Sequence, residues 1–285
     1  MRVLVIGKDS YIGNHIDKWL SDRGCTVSQL DVLTEDWKSF DYSCYDSIVH
    51  VAGIVHQPHC QDWELYKTVN ADMPVAIANK AKEAGVKQYV FFSTMGVYGV
   101  DKKLTPNIID SNTPLIPNDM YGKSKLMAEE GLRKLQDIQF KVVCVRPPSV
   151  YGKGCRGGYI SGFASVVKLL PVIPYAYDNV KQSFIYIDNL SELVYQIILK
   201  NLNGVYCPQD DKAVSANELL QAIALGMGKK YRSSRLLGFF VRLISFMPIV
   251  NKAYGGIEYD KSLSRIESLN YVVVSFEKGM INTVK

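Results

Sequence analysis

Apolar and polar positions fall in blocks along this chain, and the blocks switch between two periods. Arg2-Val3-Leu4-Val5-Ile6 is a short continuous apolar run, the pattern of a strand buried on both faces. After Gly13, the residues Ile16, Trp19 and Leu20 recur at helical spacing, and Thr26 to Leu30 reads as a second strand. Val86-Lys87-Gln88-Tyr89-Val90-Phe91-Phe92 and Phe140-Lys141-Val142-Val143-Cys144-Val145 repeat the strand pattern further on. Strands alternating with helical stretches predict an α/β fold, a doubly wound parallel sheet covered on both faces. Ligands of such sheets bind at the carboxyl ends of the strands. From about Gly152 the pattern breaks up at Gly154, Gly157, Gly158, Pro171, Pro174 and Pro208. That predicts a main unit over 1–152 and, over 153–285, mainly a smaller lobe interleaved with it rather than a linked independent domain.

The first strand runs into Gly7-Lys8-Asp9-Ser10-Tyr11-Ile12-Gly13. Glycines between a strand and a helix place backbone N–H groups and the helix dipole where a pyrophosphate can be received. The second strand ends at Asp31, eighteen residues past Gly13. A carboxylate there is placed to accept hydrogen bonds from a ribose 2′-hydroxyl and to repel a 2′-phosphate, so NAD is expected in preference to NADP. The alternative is a plain glycine turn beside a solvated Asp; strand, turn, helix, strand and acid in that order favour the dinucleotide site, making 1–152 a Rossmann-type domain. Tyr121 and Lys125 lie four residues apart in a stretch that reads as helix, and so share one face. A cation beside a phenol favours the phenolate, the form a general base needs.

Composition changes the picture little. The chain has 285 residues, 47% of them hydrophobic, and a formal charge of +5 without a long basic run. A nucleic-acid surface would need clustered basic residues. Cysteines at 25, 44, 60, 144, 155 and 207 show no CxxC or metal-ligand spacing, and Met1-Arg2 leads straight into a strand, so reduced thiols and a cytoplasmic location are expected. His50, His56 and His59 straddle a strand–loop junction without acidic partners at ligand spacing, and no metal site is expected there.

Further segments join these in a fixed order: Asp46-Ser47-Ile48-Val49-His50-Val51-Ala52-Gly53, Asn70, Phe92-Ser93-Thr94-Met95-Gly96-Val97-Tyr98-Gly99, Arg146-Pro147-Pro148-Ser149-Val150-Tyr151-Gly152, and Phe184-Ile185-Tyr186-Ile187-Asp188-Asn189. Together with the glycine turn and the Tyr121/Lys125 pair, they make the chain resemble an extended short-chain dehydrogenase/reductase of the nucleotide-sugar epimerase/dehydratase group, UDP-glucose 4-epimerase-like, through nearly its whole length. The resemblance implies an NAD site formed by Gly7, Ser10, Tyr11, Ile12, Gly13, Asp31, Val51, Ala52, Gly53, Asn70, Tyr121, Lys125 and Pro147. It implies catalysis by Thr94, Tyr121 and Lys125. Thr94 would hydrogen-bond the reacting sugar oxygen rather than only cap a local turn; Tyr121 would take the hydroxyl proton, and Lys125 would lower the Tyr121 pKa and bind the nicotinamide ribose. Substrate contacts would come from Thr94, Tyr121, Ser149 and Gln182, with 153–285 mainly the substrate-binding lobe. Family dehydratases carry Asp and Glu where Met95 and Gly96 stand, and neither can move a proton. What remains is redox at carbon 4 of a UDP-linked sugar nucleotide: a 4-epimerase serving surface polysaccharide biosynthesis, or alternatively a 4-keto-sugar reductase. A dinucleotide-binding sensor or structural partner without turnover is the reading from another class. A homodimer paired through the helix before Gly85 and the helix carrying Tyr121 is also implied.

Four departures from the family pattern bear on the site. Ser10 replaces the middle glycine of the turn, where a side chain can crowd the pyrophosphate. The segment between Asp31 and Asp46 is short, leaving Asp36 as the one adenine contact to consider. Gln182 stands where an Arg clamps the nucleotide diphosphate, with Lys181 or Arg156 as substitute cations, and Ser149 replaces an Asn. Finally, Leu236 to Val250 is strongly apolar but interrupted by Arg242 and Pro248. It is too short for a membrane span. Burial in the C-terminal lobe is the expectation, with a helix resting weakly on a membrane as the alternative.

Overall fold

The N-terminal apolar run forms strand β1 (Arg2–Ile6), and the strands that follow it in the central sheet are β2 (Thr26–Leu30), β3 (Ser47–His50), β4 (Gln88–Phe92), β5 (Lys141–Val145) and β6 (Gly204–Tyr206). The computed structural model describes residues 1–34, 36–55, 62–155, 159–266 and 269–285. The six strands lie in the order β6-β5-β4-β3-β1-β2, every neighbouring pair parallel. Alternation along β1 explains why its run is continuous rather than periodic. Val3 and Val5 face one core with Ile16 and Leu20, while Leu4 and Ile6 face a second with Ile77, Ala81 and Leu132. Each fully buried aliphatic side chain of this kind contributes about 1.5–3 kcal/mol of transfer free energy.

Helices α1 (Tyr11–Ser21), α2 (Met73–Glu83), α3 (Met120–Leu135) and α4 (Ile187–Leu199) cover the sheet. α1 packs on α4 and α2 packs on α3, where Gly131 allows close approach: a Cβ there would lie 2.7 Å from Val75 Cγ2. Both α4 and β6 come from beyond residue 152, so the later chain returns to the central sheet. That return is anchored at the Phe184–Asn189 segment. Asp210 accepts from Tyr186 N–H, Tyr151 Oη and Asn189 Nδ2, and Asn189 Oδ1 accepts from Val273 and Val274 N–H.

The expected burial of Leu236–Val250 is not what the fold does. The segment forms α5 (Arg235–Leu243) and α6 (Pro248–Tyr254), with Leu236 67% and Phe246 81% exposed. The reason lies at Gly238, the buried position of α5. The Tyr175 backbone approaches so closely that a Cβ at 238 would fall 1.9 Å from the Tyr175 carbonyl oxygen. The glycine edge therefore faces the lobe and the apolar stripe faces out. Among the described residues no helix is long and apolar enough to cross a membrane.

Candidate active site

The glycine turn joins β1 to α1 at the carboxyl end of the sheet. Gly7 has φ 122°, and a Cβ there would meet Val51 Cγ2 at 2.7 Å, so both backbone and space require glycine. A Cβ at Gly13 would fall 2.8 Å from the Gly7 carbonyl oxygen, which fixes the close packing of turn and helix. Ser10 does not lean over the turn. It caps α1, its Oγ accepting from Gly13 N–H at 3.0 Å, while Tyr11 and Ile12 N–H stand in the first turn without intrahelical acceptors. Tyr11 offers its backbone only, because its ring turns to His15 at 4.4 Å and its hydroxyl lies beside Gly152.

Asp31 leaves β2 partly buried, its carboxylate accepting from Leu33 N–H at 2.9 Å and Thr34 Oγ1 at 2.7 Å. Those bonds, and the nearby charge of Lys8, hold its carboxyl below the usual range. Asp36 caps its own turn through Lys38 N–H and Ser39 Oγ. Val51 and Ala52 N–H both donate to the Ile6 carbonyl, bringing the 51–55 loop beside the glycine turn. Asn70 is fully buried; it accepts from Ile54 N–H, donates to the Ile54 carbonyl at 2.9 Å and to Ser124 Oγ at 3.1 Å. Its side chain thus ties that loop to α3, a positioning task. The strand–glycine–helix cradle, the unpaired first-turn donors and the carboxylate at the end of β2 fit a dinucleotide.

Asp119 caps α3, accepting from Gly122 N–H at 2.6 Å, and the next turns present Tyr121, Lys125 and Glu129 on one face. Thr94 follows β4 and opens a short helical turn, accepting from Gly96 N–H at 3.1 Å. A side-chain hydrogen bond also joins Thr94 to the Tyr121 hydroxyl. Burial pushes the Tyr121 phenol up to about 12, and the Thr94 bond pulls the other way. The Lys125 ammonium donates to the Phe92 carbonyl at 2.9 Å and lies 4.6 Å from the Phe91 ring centroid. Burial lowers Lys125 itself to about 7, with Glu129 opposing. Its Nζ lies 3.1 Å from where a Cβ on Gly53 would stand, at the edge of the 51–55 loop.

Glu129 and Lys102, which the sequence reading did not single out, complete the picture. Glu129 and Arg146 form a buried bidentate pair, Nε to Oε1 at 3.0 Å and Nη2 to Oε2 at 2.6 Å. Ser93 donates to Glu129, Arg146 Nη1 donates to Tyr98 Oη at 2.9 Å, and Tyr259 donates to the Arg146 carbonyl. Glu129 follows Lys125 by four residues, a spacing that could have revealed it. Beside Thr94 opens a cavity of about 270 Å³ walled by Met95, Pro147, Ser149, Gln182 and Lys102. Lys102 Nζ donates to Gln182 Oε1 at 2.6 Å, and Gln182 Nε2 donates weakly to Ser149 Oγ at 3.4 Å. The cation beside Gln182 is therefore Lys102, lowered to about 8 by burial. Lys181 instead pairs with Glu218 at 2.7 Å, and Arg156 lies outside the described residues. A larger cavity, about 510 Å³, lies past Ser149 toward Tyr151, Gly152 and Ile160 and is not walled by Thr94.

His50 is a core residue bonded to Tyr89 Oη, and burial lowers its pKa to about 3; His56 and His59 lie outside the described residues. Among the described residues no cluster of His, Cys, Asp and Glu could hold a metal.

The profile described as the NAD dependent epimerase/dehydratase family matches residues 3–206. The chain belongs to that family. It is 31% identical over 188 residues to a UDP-glucose 4-epimerase of Vibrio cholerae, covering 64% of this chain and 57% of that protein. It is 26% identical to an N-acetyl-alpha-D-glucosaminyl-diphospho-ditrans,octacis-undecaprenol 4-epimerase of Escherichia coli O157:H7, over 96% of this chain and 83% of that protein. Among solved structures it is similar to the UDP-glucuronic acid 4-epimerase of Bacillus cereus in complex with NAD, with TM-score 0.73 and 18% identity over 100% of this chain and 95% of the other. That last likeness establishes the Rossmann-type fold. The chain spans less than two thirds of the Vibrio protein's length.

Proposed function

We propose that the chain is a cytoplasmic NAD-dependent 4-epimerase that acts on a UDP-linked hexose or N-acetylhexosamine through a 4-keto intermediate, in surface polysaccharide biosynthesis. The observation that carries this reading is the Thr94–Tyr121 hydroxyl pair beside a cavity in which Met95 and Gly96 offer no acid or base for elimination. Tyr121 removes the proton of the sugar 4-hydroxyl, and Thr94 holds that oxygen in line. NAD held at this site would supply the hydride acceptor, and then donor, for carbon 4 of the sugar. Gly7, Gly13 and the first turn of α1 would hold its pyrophosphate, Asp31 the adenosine ribose and Lys125 the nicotinamide ribose. Lys102 and Gln182 lie on the substrate side, where a diphosphate would meet the Lys102 ammonium. Residues 1–152 with their returning elements would carry the cofactor, and 153–285 mainly the substrate. The free thiols of Cys25, Cys44, Cys144, Cys155 and Cys207 accord with a reducing compartment.

Product should form from UDP-glucose or UDP-N-acetylglucosamine without net change in NADH. Product that appears only with stoichiometric consumption of NADH or NADPH identifies a 4-keto reductase instead, and dinucleotide binding without any turnover identifies a non-catalytic partner. A second reading places the same chemistry on a sugar joined by diphosphate to a polyprenol in a membrane. The outward apolar stripe of α5 and the E. coli relative favour it, and product from the lipid-linked sugar alone would decide for it.

Cofactor choice gives another expected result. NAD should bind more tightly than NADP, because a 2′-phosphate meets the Asp31 carboxylate, although Lys8 nearby offsets part of that repulsion. Parallel titration of the two checks this, and tighter NADP binding removes Asp31 from the ribose. The outer faces of α2 and α3 would pair two copies in a homodimer; sedimentation at micromolar concentration should show it, and a monomer throughout would refute it.

A further inference from the structure

In a helix that serves only a protein core, the apolar stripe turns inward. In α5 it turns outward. Leu236, Phe239, Phe240 and Leu243 follow the i, i+3, i+4, i+7 spacing of one helical face, and all four are exposed, as are Phe246 and Ile249 beyond them. The inward edge carries Gly238 against the Tyr175 backbone, and the flanking arginines rest on tyrosine faces, Arg235 at 5.9 Å from the Tyr175 ring and Arg242 at 5.4 Å from the Tyr177 ring. A well-anchored helix that shows phenylalanines and leucines to solvent has the makings of an interfacial helix.

Charge identifies the surface it meets. Between Glu218 and Glu258 the chain has no acidic residue, whereas Lys229, Lys230, Arg232, Arg235, Arg242 and Lys252 all fall there. Lys229, Lys230 and Arg232 share the wall of a cavity of about 510 Å³ with Leu169 and Leu170, and both leucines are exposed. Strand 173–174 pairs with strand 233–234, so this basic and apolar mixture runs into the start of α5. An apolar stripe rimmed by one sign of charge suits a bilayer with anionic headgroups, where acyl chains take the stripe and phosphates the cations.

We propose that α5, α6 and the basic segment before them dock this protein on an anionic lipid surface. The docking face also leads directly to the site. Asn251 of α6 donates to the Lys102 carbonyl at 3.0 Å, Gly256 N–H donates to the Lys103 carbonyl at 3.1 Å, and Ile257 lines the cavity beside Thr94. The cavity wall holding Lys102 is thus pinned to the lipid-facing segment, and docking brings the mouth of the site toward the headgroups.

Co-sedimentation of the full chain with vesicles tests this without any turnover, so it stands or falls apart from the catalytic reading. Vesicles of phosphatidylglycerol and phosphatidylcholine should carry the protein down at least tenfold better than phosphatidylcholine alone, and less well at high salt. The triple variant Phe239→Ser, Phe240→Ser, Leu243→Ser changes only exposed side chains. It should keep the parent's melting temperature and lose at least tenfold in vesicle binding. A parent that stays in the supernatant with both vesicle types overturns the proposal, and so does a variant that binds as well as the parent. If, without lipid, the parent sediments as an oligomer that the triple variant dissociates, a second copy covers the stripe and the lipid proposal is wrong.

Discussion

Tyr121→Phe should lower kcat by about 10²–10⁴-fold, the range a positioned proton-transfer group supplies, while NAD binds nearly as before. The substitution removes one oxygen and keeps the ring. Thr94 retains its bond to Gly96 N–H, so the turn that carries it stays in place. The pH dependence separates loss of the base from loss of packing. With the phenol pushed up to about 12, only a small fraction is phenolate at neutral pH, and that fraction grows tenfold per pH unit below the pKa. In the parent, kcat/KM should therefore rise with pH across the neutral range, and in the variant the residual rate should lose that dependence. A variant within a few-fold of the parent, or one that keeps the same slope, would mean another group takes the proton.

The parts of the site that were legible in the sequence are those fixed over short stretches of chain. Glycines 7 and 13 report a close approach within one strand–turn–helix, and their spacing to Asp31 is set by one helix and one strand. Tyr121 and Lys125 share a face because the helix period demands it. The same period would have placed Glu129 below them; what it could not supply was Arg146, which reaches Glu129 from a neighbouring strand. Contacts across long separations were not legible for the same reason. Lys102 meets Gln182 eighty residues away, and nothing local to either announces it. Periodicity also gives a stripe without a direction. Residues 236–250 read as apolar along one face, but only the Tyr175 backbone against Gly238 decides that the face points outward. Lys125 shows a finer limit: shared face with Tyr121 was legible, yet a long flexible side chain chooses its own acceptor, and it chose the Phe92 carbonyl.

The second large effect concerns the pair beneath the site. Arg146→Met should cost about 3–5 kcal/mol, because it leaves the Glu129 carboxylate buried without its cation. Glu129 is fully buried and Arg146 nearly so, and Ser93 alone among the named partners would still donate to the carboxylate. Against a total stability of about 5–15 kcal/mol, that loss should show as a large fall in the denaturant midpoint and in soluble yield. Removing both charges tests whether the penalty is the orphaned ion or the lost packing. The double variant Glu129→Leu, Arg146→Met buries no charge, and should be more stable than Arg146→Met alone by about 3–5 kcal/mol or more, because replacing a whole buried pair by apolar groups of similar volume is often neutral or stabilising relative to the parent. A single variant within about 1 kcal/mol of the parent would show that solvent reaches Glu129. A double variant no better than the single would place the cost in packing around Tyr98 and Tyr259. If the double variant folds well yet turns over slowly with unchanged KM, the pair's contribution is to hold Ser93, and with it the neighbouring Thr94, in register with Tyr121 and Lys125 on the helix that carries Glu129.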